Sequence, residues 1–274
     1  MKIRPLLALF SLIVCSLNLI HAQSNDFIAG ARSMSLANTS VTISDEWAIF
    51  NNISGIAELS DIYTSASYKS RFSVAALGSL HALCIVPTKH GSLGLSLFRL
   101  GDELYNEQKI GVGYANHIGF VNLGFKCNYM QLNAEGFGSN GALILEFGGI
   151  AELFPWLTFG AHIFNLNQAS LLEFEDERFP IIMKAGIAIK PEKNLTFHFE
   201  VYKDLLQEVQ IRAGMEYDYL EKVWLRAGVQ RSPTMPCIGF GFKPGNVAID
   251  YAFGAAYVPG QLHEFSFTYK IVKQ

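Results

Sequence analysis

The sequence predicts an all-β protein, a transmembrane antiparallel β-barrel of about fourteen strands. Three observations lead to this prediction: apolar and polar residues alternate along many short stretches, the connections between these stretches sort into short and long sets, and charge is scarce. Charged residues make up 16% of the 274 residues and hydrophobic residues 50%, whereas soluble domains are roughly 25% charged. The net charge of −3 provides no basic footprint, so nucleic acid is not an expected partner.

The first 22 residues have the pattern of a secretory signal peptide that is cleaved near Ala22. A charged start is followed by an apolar run at 6–20 and then by the cleavage point. The run falls short of the roughly 20 residues that a membrane-spanning helix needs, which disfavours an uncleaved anchor. A lipoprotein modified at Cys15 is a weaker alternative, because Val14 stands where such motifs have a small residue.

Residues 23–59 lack the alternation that follows them, and we expect them to form a plug or hatch in the lumen. Their small residues and short apolar runs favour short helical fragments over strands. The barrel itself is predicted to occupy residues 60–274.

From residue 62 onward the chain reads as one strand after another, most clearly from the fifth strand on. Along 209–219, for example, the odd positions are mainly apolar and the even positions mainly polar or glycine. In a soluble β-sandwich the polar face would meet water, whereas in a membrane barrel the apolar face meets lipid and the polar face the lumen. The predicted strands span 62–70, 76–86, 92–99, 104–115, 118–130, 140–153, 156–166, 180–190, 194–203, 208–219, 222–231, 236–243, 246–255 and 261–272.

The connections favour the barrel over a soluble secreted β-protein. Those after even-numbered strands are tight, as at Asn116-His117, Leu220-Glu221 and Pro244-Gly245. Several after odd-numbered strands are longer, including the acidic stretch 167–179. Outer-membrane barrels show this sorting together with an even number of strands, so the predicted location is the outer membrane, in contact with its lipid.

The polar face of the later strands carries charges of both signs, while the apolar face carries almost none. A charge on the lipid face costs roughly 2–4 kcal/mol at the midplane, so we expect these residues to face the lumen and to pair across it. Either these residues take part directly in the function, or they form a paired network that fixes the strand register and the plug. The lumen-facing candidates are Lys126, Glu146, His162, Lys184, Glu200, Arg212, Glu216, Arg226, Asp250 and Glu264.

Six glycines fall on the same polar face. A glycine in a strand lets another backbone approach closely, so something is expected to pack inside the barrel, and the N-terminal segment is the nearest candidate. These glycines are Gly124, Gly148, Gly160, Gly186, Gly214 and Gly228.

Several patches, taken in their order and spacing, resemble the PorV/PorQ group of FadL-like outer-membrane proteins of Bacteroidetes. The patches are Gly30-Ala31-Arg32, Asn52-Ile53-Ser54-Gly55-Ile56-Ala57, the strand that ends in Asn165-Leu166, Leu225-Arg226-Ala227-Gly228, Ile249-Asp250-Tyr251-Ala252-Phe253 and the closing strand from Gly260 to Ile271. The residues that carry the likeness are Arg32, Asn52, Gly55, Asn165, Arg226, Gly228, Asp250 and Tyr251.

The resemblance implies a fourteen-stranded barrel that works without enzymatic chemistry, and it implies two functions. Because the group's best-known members serve type IX protein secretion, the resemblance implies that role for this barrel. It would act there through contacts with secretion components or with the C-terminal domains of secreted cargo. In the wider FadL family the resemblance implies the alternative, a conduit for hydrophobic small molecules with residues 23–59 as the hatch.

Residues for catalysis, a cofactor or a metal ion are not expected. The motifs G-x-S-x-G, H-E-x-x-H and G-x-G-x-x-G at a strand-to-helix junction do not occur in the sequence. The histidines after the predicted signal peptide stand one at a time, without the spacing of a metal site.

Overall fold

The fold is a closed barrel of fourteen antiparallel strands, described by a computed structural model for residues 27–136, 138–170, 179–255 and 260–272. The strands are β1 (Ile62–Arg71), β2 (Val74–Thr88), β3 (Gly91–Gly101), β4 (Tyr105–Ile118), β5 (Val121–Ala134), β6 (Gly138–Phe154), β7 (Leu157–Phe164), β8 (Ile182–Glu192), β9 (Leu195–Asp204), β10 (Gln210–Tyr219), β11 (Val223–Arg231), β12 (Met235–Phe242), β13 (Val247–Ala255) and β14 (Gln261–Ile271). Each strand pairs with its neighbours in sequence, and β1 pairs with β14 to close the sheet. The predicted fold class is therefore confirmed, while the predicted signal peptide lies outside the described residues.

Most strands begin and end close to their predicted bounds, and the exceptions have local causes. The turn predicted at Asn116-His117 lies inside β4, and the chain turns instead at Gly119, whose φ of 66° favours glycine. β7 ends early because Asn165 has a φ of 59° and turns its side chain into the following loop. β2 and β6 have 15 and 17 residues, longer than the roughly 9–11 that cross the hydrocarbon, so they extend beyond it.

The two ends of the barrel differ in their connections. The end that we call the turn end carries the connections after even-numbered strands and both ends of the sheet, Ile62 and Ile271. The other end, the loop end, carries the connections after odd-numbered strands, including the long one from β7 to β8. The predicted sorting has an exception there, because β1 and β2 are joined through 72–73 alone.

The outer wall is apolar, as a membrane barrel requires. Along β3 the exposed side chains include Leu93, Leu95 and Leu97, while Ser92 and Ser96, which alternate with them, are buried. The same alternation runs along the other strands, so the large exposed side chains form a continuous hydrophobic exterior. In the described ranges, the helices are all too short to span a membrane.

Residues 27–59, here called the N-terminal segment, lie inside the barrel. The segment contains α1 (Ala31–Ser35), α2 (Ala48–Asn51) and a 3₁₀ helix (Ile53–Glu58), and most of its side chains are buried. Its backbone follows the glycines of the wall closely. A Cβ atom added to Gly124 would lie 2.7 Å from the amide nitrogen of Ser54, and one added to Gly160 would lie 2.3 Å from the carbonyl oxygen of Val41. The inward-facing glycines therefore leave the room that the segment occupies.

Candidate functional site inside the barrel

The charged residues of the inner wall form short-range pairs between neighbouring strands. Glu146 on β6 lies 3.7 Å from the Nζ of Lys126 on β5 and 3.1 Å from the Nε2 of His162 on β7. Arg212 on β10 lies 3.2 Å from Glu200 on β9. All five residues are at most 6% exposed, so the charges of Lys126, Glu146, Glu200 and Arg212 are shielded from bulk water and depend on their partners.

A second polar cluster joins the wall to the N-terminal segment. Arg32 of α1 lies 2.6 Å from Glu216 on β10 and 3.2 Å from Asp45. Arg226 on β11 lies 2.5 Å from both Glu216 and Asp250 on β13. Two guanidinium groups thus bind three carboxylates, which anchors α1 to β10 and, through Arg226, to β11 and β13.

All ten lumen-facing candidates have side chains directed into the barrel interior; nine are buried and Asp250 is partly exposed. Their pairs run along the wall or to the N-terminal segment, rather than across the lumen as we expected. The reason is that the segment fills the middle of the barrel and supplies partners of its own. Glu200 accepts hydrogen bonds from the amides of Ser40 and Val41, and Glu264 accepts one from Gly30.

Three buried lysines of the wall donate to backbone carbonyls of the segment. The Nζ of Lys69 donates to Ile28 and that of Lys126 to Ile49, both at 2.8 Å, and Lys184 donates to Asn51. The last two carbonyls belong to α2, whose C-terminal carbonyls have no partner within the helix. The lysines therefore satisfy the end of α2 and fix it to β5 and β8.

The residues that carry the family resemblance lie mainly where the segment meets the wall. Asn52 donates to the carbonyl of Val41 at 2.7 Å and to those of Gly149 and Ala161 at 3.3 Å, so its amide joins two parts of the segment to β6 and β7. A Cβ atom on Gly55 would lie 2.6 Å from the carbonyl oxygen of Ile43.

The remaining motif residues divide between the interior and the exterior. Gly228 contacts the backbone of Leu36, and Asn165 is buried and bonds to the carbonyl of Phe179 at 3.0 Å. Tyr251 differs from the other motif residues, since it is exposed on the outer face, where its hydroxyl bonds to His263.

An apolar cluster with an aromatic centre lies inside the barrel toward the loop end. The ring of Phe27 stacks on Phe164 with centroids 5.1 Å apart and meets Phe98 edge-on at 5.7 Å. Phe50 of α2 belongs to the same cluster. Wall residues that complete it include Leu100, Met130, Ile144, Phe179, Ile182 and Tyr202. Phe27 comes from the N-terminal segment, so the segment closes a hydrophobic site whose other walls belong mostly to the barrel.

Lys109 on β4 points into this aromatic cluster. Its Nζ lies 4.3 Å from the ring centre of Phe27, 5.2 Å from that of Phe164 and 5.8 Å from that of Phe98. Lys109 is 1% exposed, and its ammonium group makes no hydrogen bond within the described parts of the chain. A desolvated contact of a cation with an aromatic face contributes about 2 kcal/mol, which offsets part of the several kcal/mol that burial of the ion costs.

The turn end carries two cavities beside the N-terminal segment. One of about 290 Å³ lies at the rim, between Glu58, His117, Phe120 and Phe154. The other, of about 170 Å³, reaches inward along the segment and has a polar lining. Its lining includes Arg32, Thr42, Lys190, His198 and Glu216. The inner cavity on this side therefore has polar and charged walls, in contrast to the apolar cluster toward the loop end.

Sequence reasoning did not single out the aromatic cluster or Lys109. The register of β3 contained a signal, because Phe98 and Leu100 share the inner face with Ser92 and Ser96 while Leu93, Leu95 and Leu97 occupy the outer face. Lys109 likewise shares the inner face of β4 with Gly111 and Gly113. Among the described residues, the acidic, histidine and cysteine side chains form no cluster that could hold a metal ion.

The comparisons with known proteins identify similar structures but not a sequence family. No family model and no curated protein sequence match the chain. The structure is similar to the toluene transporter TbuX of Ralstonia pickettii, with a TM-score of 0.69, 10% identity, and coverage of 89% of this chain and 98% of that one. It is similar to the monoaromatic hydrocarbon channel CymD, with a TM-score of 0.67, 10% identity and the same coverages.

A FadL homologue of Pseudomonas aeruginosa is a further similar structure. Its TM-score is 0.62 at 12% identity, and the match covers 88% of this chain and 98% of that one. At such low identity the likeness speaks for the shape of the chain and not for its activity. The chain therefore has the fold of a FadL-like membrane barrel, with fourteen strands around an N-terminal segment.

Proposed function

We propose that this protein is an outer-membrane conduit for small hydrophobic molecules, with residues 27–59 acting as a movable plug. The observation that carries the proposal is the apolar aromatic cluster inside the barrel. The lumen of a membrane barrel is usually polar, so a buried cluster of aromatic and aliphatic side chains at one end needs an explanation. A hydrophobic ligand site explains it, because burying apolar surface there yields roughly 25 cal/mol per Å².

The position of Phe27 supports a site that can open. Its ring packs between Phe98 and Phe164, but it belongs to the N-terminal segment and not to a strand. A ligand that replaces this ring keeps the apolar contacts and displaces the start of the segment. Binding at the loop end is thereby coupled to the contacts that hold the plug to the wall.

The passage toward the turn end runs along the segment. The polar cavity beside Arg32 and His198 already follows the segment on this side. In the present arrangement the apolar cluster that holds the aromatic rings also includes Trp47, Ile49 and Ile53 of the segment, and all three are at most 2% exposed. Transfer of a ligand therefore requires the segment to shift, and the movement of α2 away from Lys126 and Lys184 is the step that opens the route.

The secretion role remains a prediction that rests on the PorV/PorQ-like patches in the sequence. The similar structures support the conduit better, because they are a toluene transporter and a monoaromatic hydrocarbon channel. They are not enzymes, in keeping with a non-enzymatic function. Deleting the gene separates the two roles: a secretion component alters the surface level of exported proteins, and a conduit alters the uptake of hydrophobic compounds.

The test uses the deletion strain, complemented by the wild-type gene or by single variants. Phe98→Asn places a polar group in the aromatic cluster and is expected to lower uptake of labelled toluene supplied at low concentration. The matched control is Leu205→Asn, since Leu205 is half exposed in the connection after β9 and lies outside the cluster. Heat-modifiable migration on a gel verifies that both barrels are folded. Equal toluene uptake by the deletion strain and the wild type would contradict the proposal.

A further inference from the structure

The ligand site suits a more specific class of molecule than hydrocarbons. We infer, on the basis of the proposed function, that the site occupied by the Phe27 ring binds aromatic acids, with the ammonium group of Lys109 as the partner of the acid group. The inference starts from the contrast between Lys109 and the other buried lysines of the wall. Lys69, Lys126 and Lys184 each donate to a carbonyl of the N-terminal segment, whereas Lys109 has aromatic rings around it instead.

The ammonium group of Lys109 lacks a hydrogen-bond acceptor among the described residues. Its Nζ lies within about 6 Å of the ring centres of Phe27, Phe50, Phe98 and Phe164, and the residue is 1% exposed. Aromatic faces attract a cation but cannot accept its three N–H groups as oxygen does. A buried ion with free donors binds most favourably to a group that brings negative charge and acceptor oxygens with it.

The slot beside Lys109 has the size of one phenyl ring. It is filled by the side chain of Phe27, stacked on Phe164 at an interplanar angle of 26° and edge-on to Phe98 at 78°. A ligand ring in the same place makes the same two contacts. With the Nζ of Lys109 only 4.3 Å from the ring centre, a carboxylate two or three bonds from the ring reaches hydrogen-bond distance of it.

The two features together define the ligand: an aromatic ring with one anionic group on a short arm. A plain hydrocarbon fills the slot but leaves the ammonium group without an acceptor. An aliphatic anion meets the ammonium group but forfeits the stacking on Phe164. Phe27 occupies the slot in the free protein and acts as an internal competitor, so its removal is expected to strengthen binding.

The test measures binding by calorimetry to the full-length protein purified in mild detergent. The probes are 3-phenylpropanoate and its uncharged analogue of the same shape, 3-phenylpropanamide. In the Phe27→Ala variant, which empties the slot, we expect the acid to bind at least tenfold more tightly than the amide. Adding Lys109→Met removes this preference, because methionine keeps the length of the side chain and loses its charge. The matched control is Lys203→Met, which removes a lysine from the outer face of β9 near the loop end and leaves the preference intact.

The outcomes separate the inference from the proposed function. Equal binding of acid and amide, or an acid preference that survives Lys109→Met, overturns the role of Lys109. If toluene binds to the Phe27→Ala variant but the acid gains nothing over the amide, the conduit stands and the aromatic-acid inference fails. If neither the probes nor toluene bind to a folded Phe27→Ala barrel, both fail.

Discussion

Replacing Gly228 with alanine is expected to loosen the N-terminal segment from the wall and to expose the thiol of Cys237. A Cβ atom at Gly228 would lie 2.4 Å from the carbonyl carbon of Leu36 and 2.6 Å from the amide nitrogen of Ala37. Both are backbone atoms, which cannot rotate out of the way, so the segment itself has to move. Overpacking of this kind costs roughly 1–3 kcal/mol, which shifts the equilibrium between docked and released segment about 5- to 150-fold.

Cys237 reports this shift because it lies beneath the segment. Its side chain packs in a cluster with Ala37, and the residue is 2% exposed. In a background with Cys84 and Cys127 replaced by serine, a charged, water-soluble maleimide should label Cys237 about 5- to 150-fold faster after Gly228→Ala, because the labelling rate follows the released fraction.

The control places the same extra methyl group on the other side of the wall. A Cβ atom at Gly149 on β6 would come no closer than 3.4 Å to Leu123, an ordinary contact, so Gly149→Ala should label at the parent rate. Migration with and without heating verifies that both barrels are closed. Equal labelling in Gly228→Ala and Gly149→Ala would refute the reasoning that close backbone contact at these glycines holds the segment.

Two further predictions concern the polar contacts of the interior, and thermal unfolding in detergent measures both. Lys126→Met leaves Glu146 without its lysine partner and should destabilise the protein by about 3–5 kcal/mol. Lys109→Met removes an ammonium group that has no hydrogen-bond acceptor among the described residues, so it should leave the stability unchanged or raise it. If both variants unfold at the same temperature, the distinction between paired and unpaired lysines is wrong. Asn52→Asp sets a carboxylate against the carbonyl of Val41 and should lower the free energy of unfolding by about 1–3 kcal/mol. The same variant should label faster at Cys237. A variant as stable as the wild type would show that this amide does not hold the segment.

The sequence was sufficient to predict the barrel because the wall follows a simple rule. Each strand must show apolar side chains to lipid and the rest to the interior, so a period of two marks both the strands and their faces. Ile211 beside Arg212 is a plain case: Ile211 is 57% exposed on the outside and Arg212 is 4% exposed on the inside. The same rule located the glycines against which the segment packs.

The partners of the interior charges could not be derived from the same rule. Period two shows that Glu200 faces inward, but not that its carboxylate accepts from the amides of Ser40 and Val41. Those contacts depend on the path of the N-terminal segment, which is built from short helices with weak sequence signals. For the same reason the interior charges pair with neighbouring strands, and not across the lumen as the sequence had led us to expect.

The aromatic cluster was missed for a different reason. Phe98 and Phe164 are apolar residues on a face expected to be polar, and alternation arguments treat such residues as exceptions. Phe27 lies in a stretch without alternation. Only the closed barrel brings the three rings together with Lys109, since Phe27 precedes the first strand and β7 is far in sequence from the β3–β4 hairpin that carries Phe98 and Lys109.

Uptake of labelled toluene through a barrel with a locked N-terminal segment tests the conduit most directly. The Ala37→Cys variant places a second thiol in the cluster with Cys237, so oxidation can join the segment to β12. In the deletion strain we expect wild-type protein to restore toluene uptake, the oxidised variant to fail, and the same variant to succeed once a reductant opens the disulfide. Equal toluene uptake by the oxidised variant, by the reduced variant and by the deletion strain would contradict the conduit.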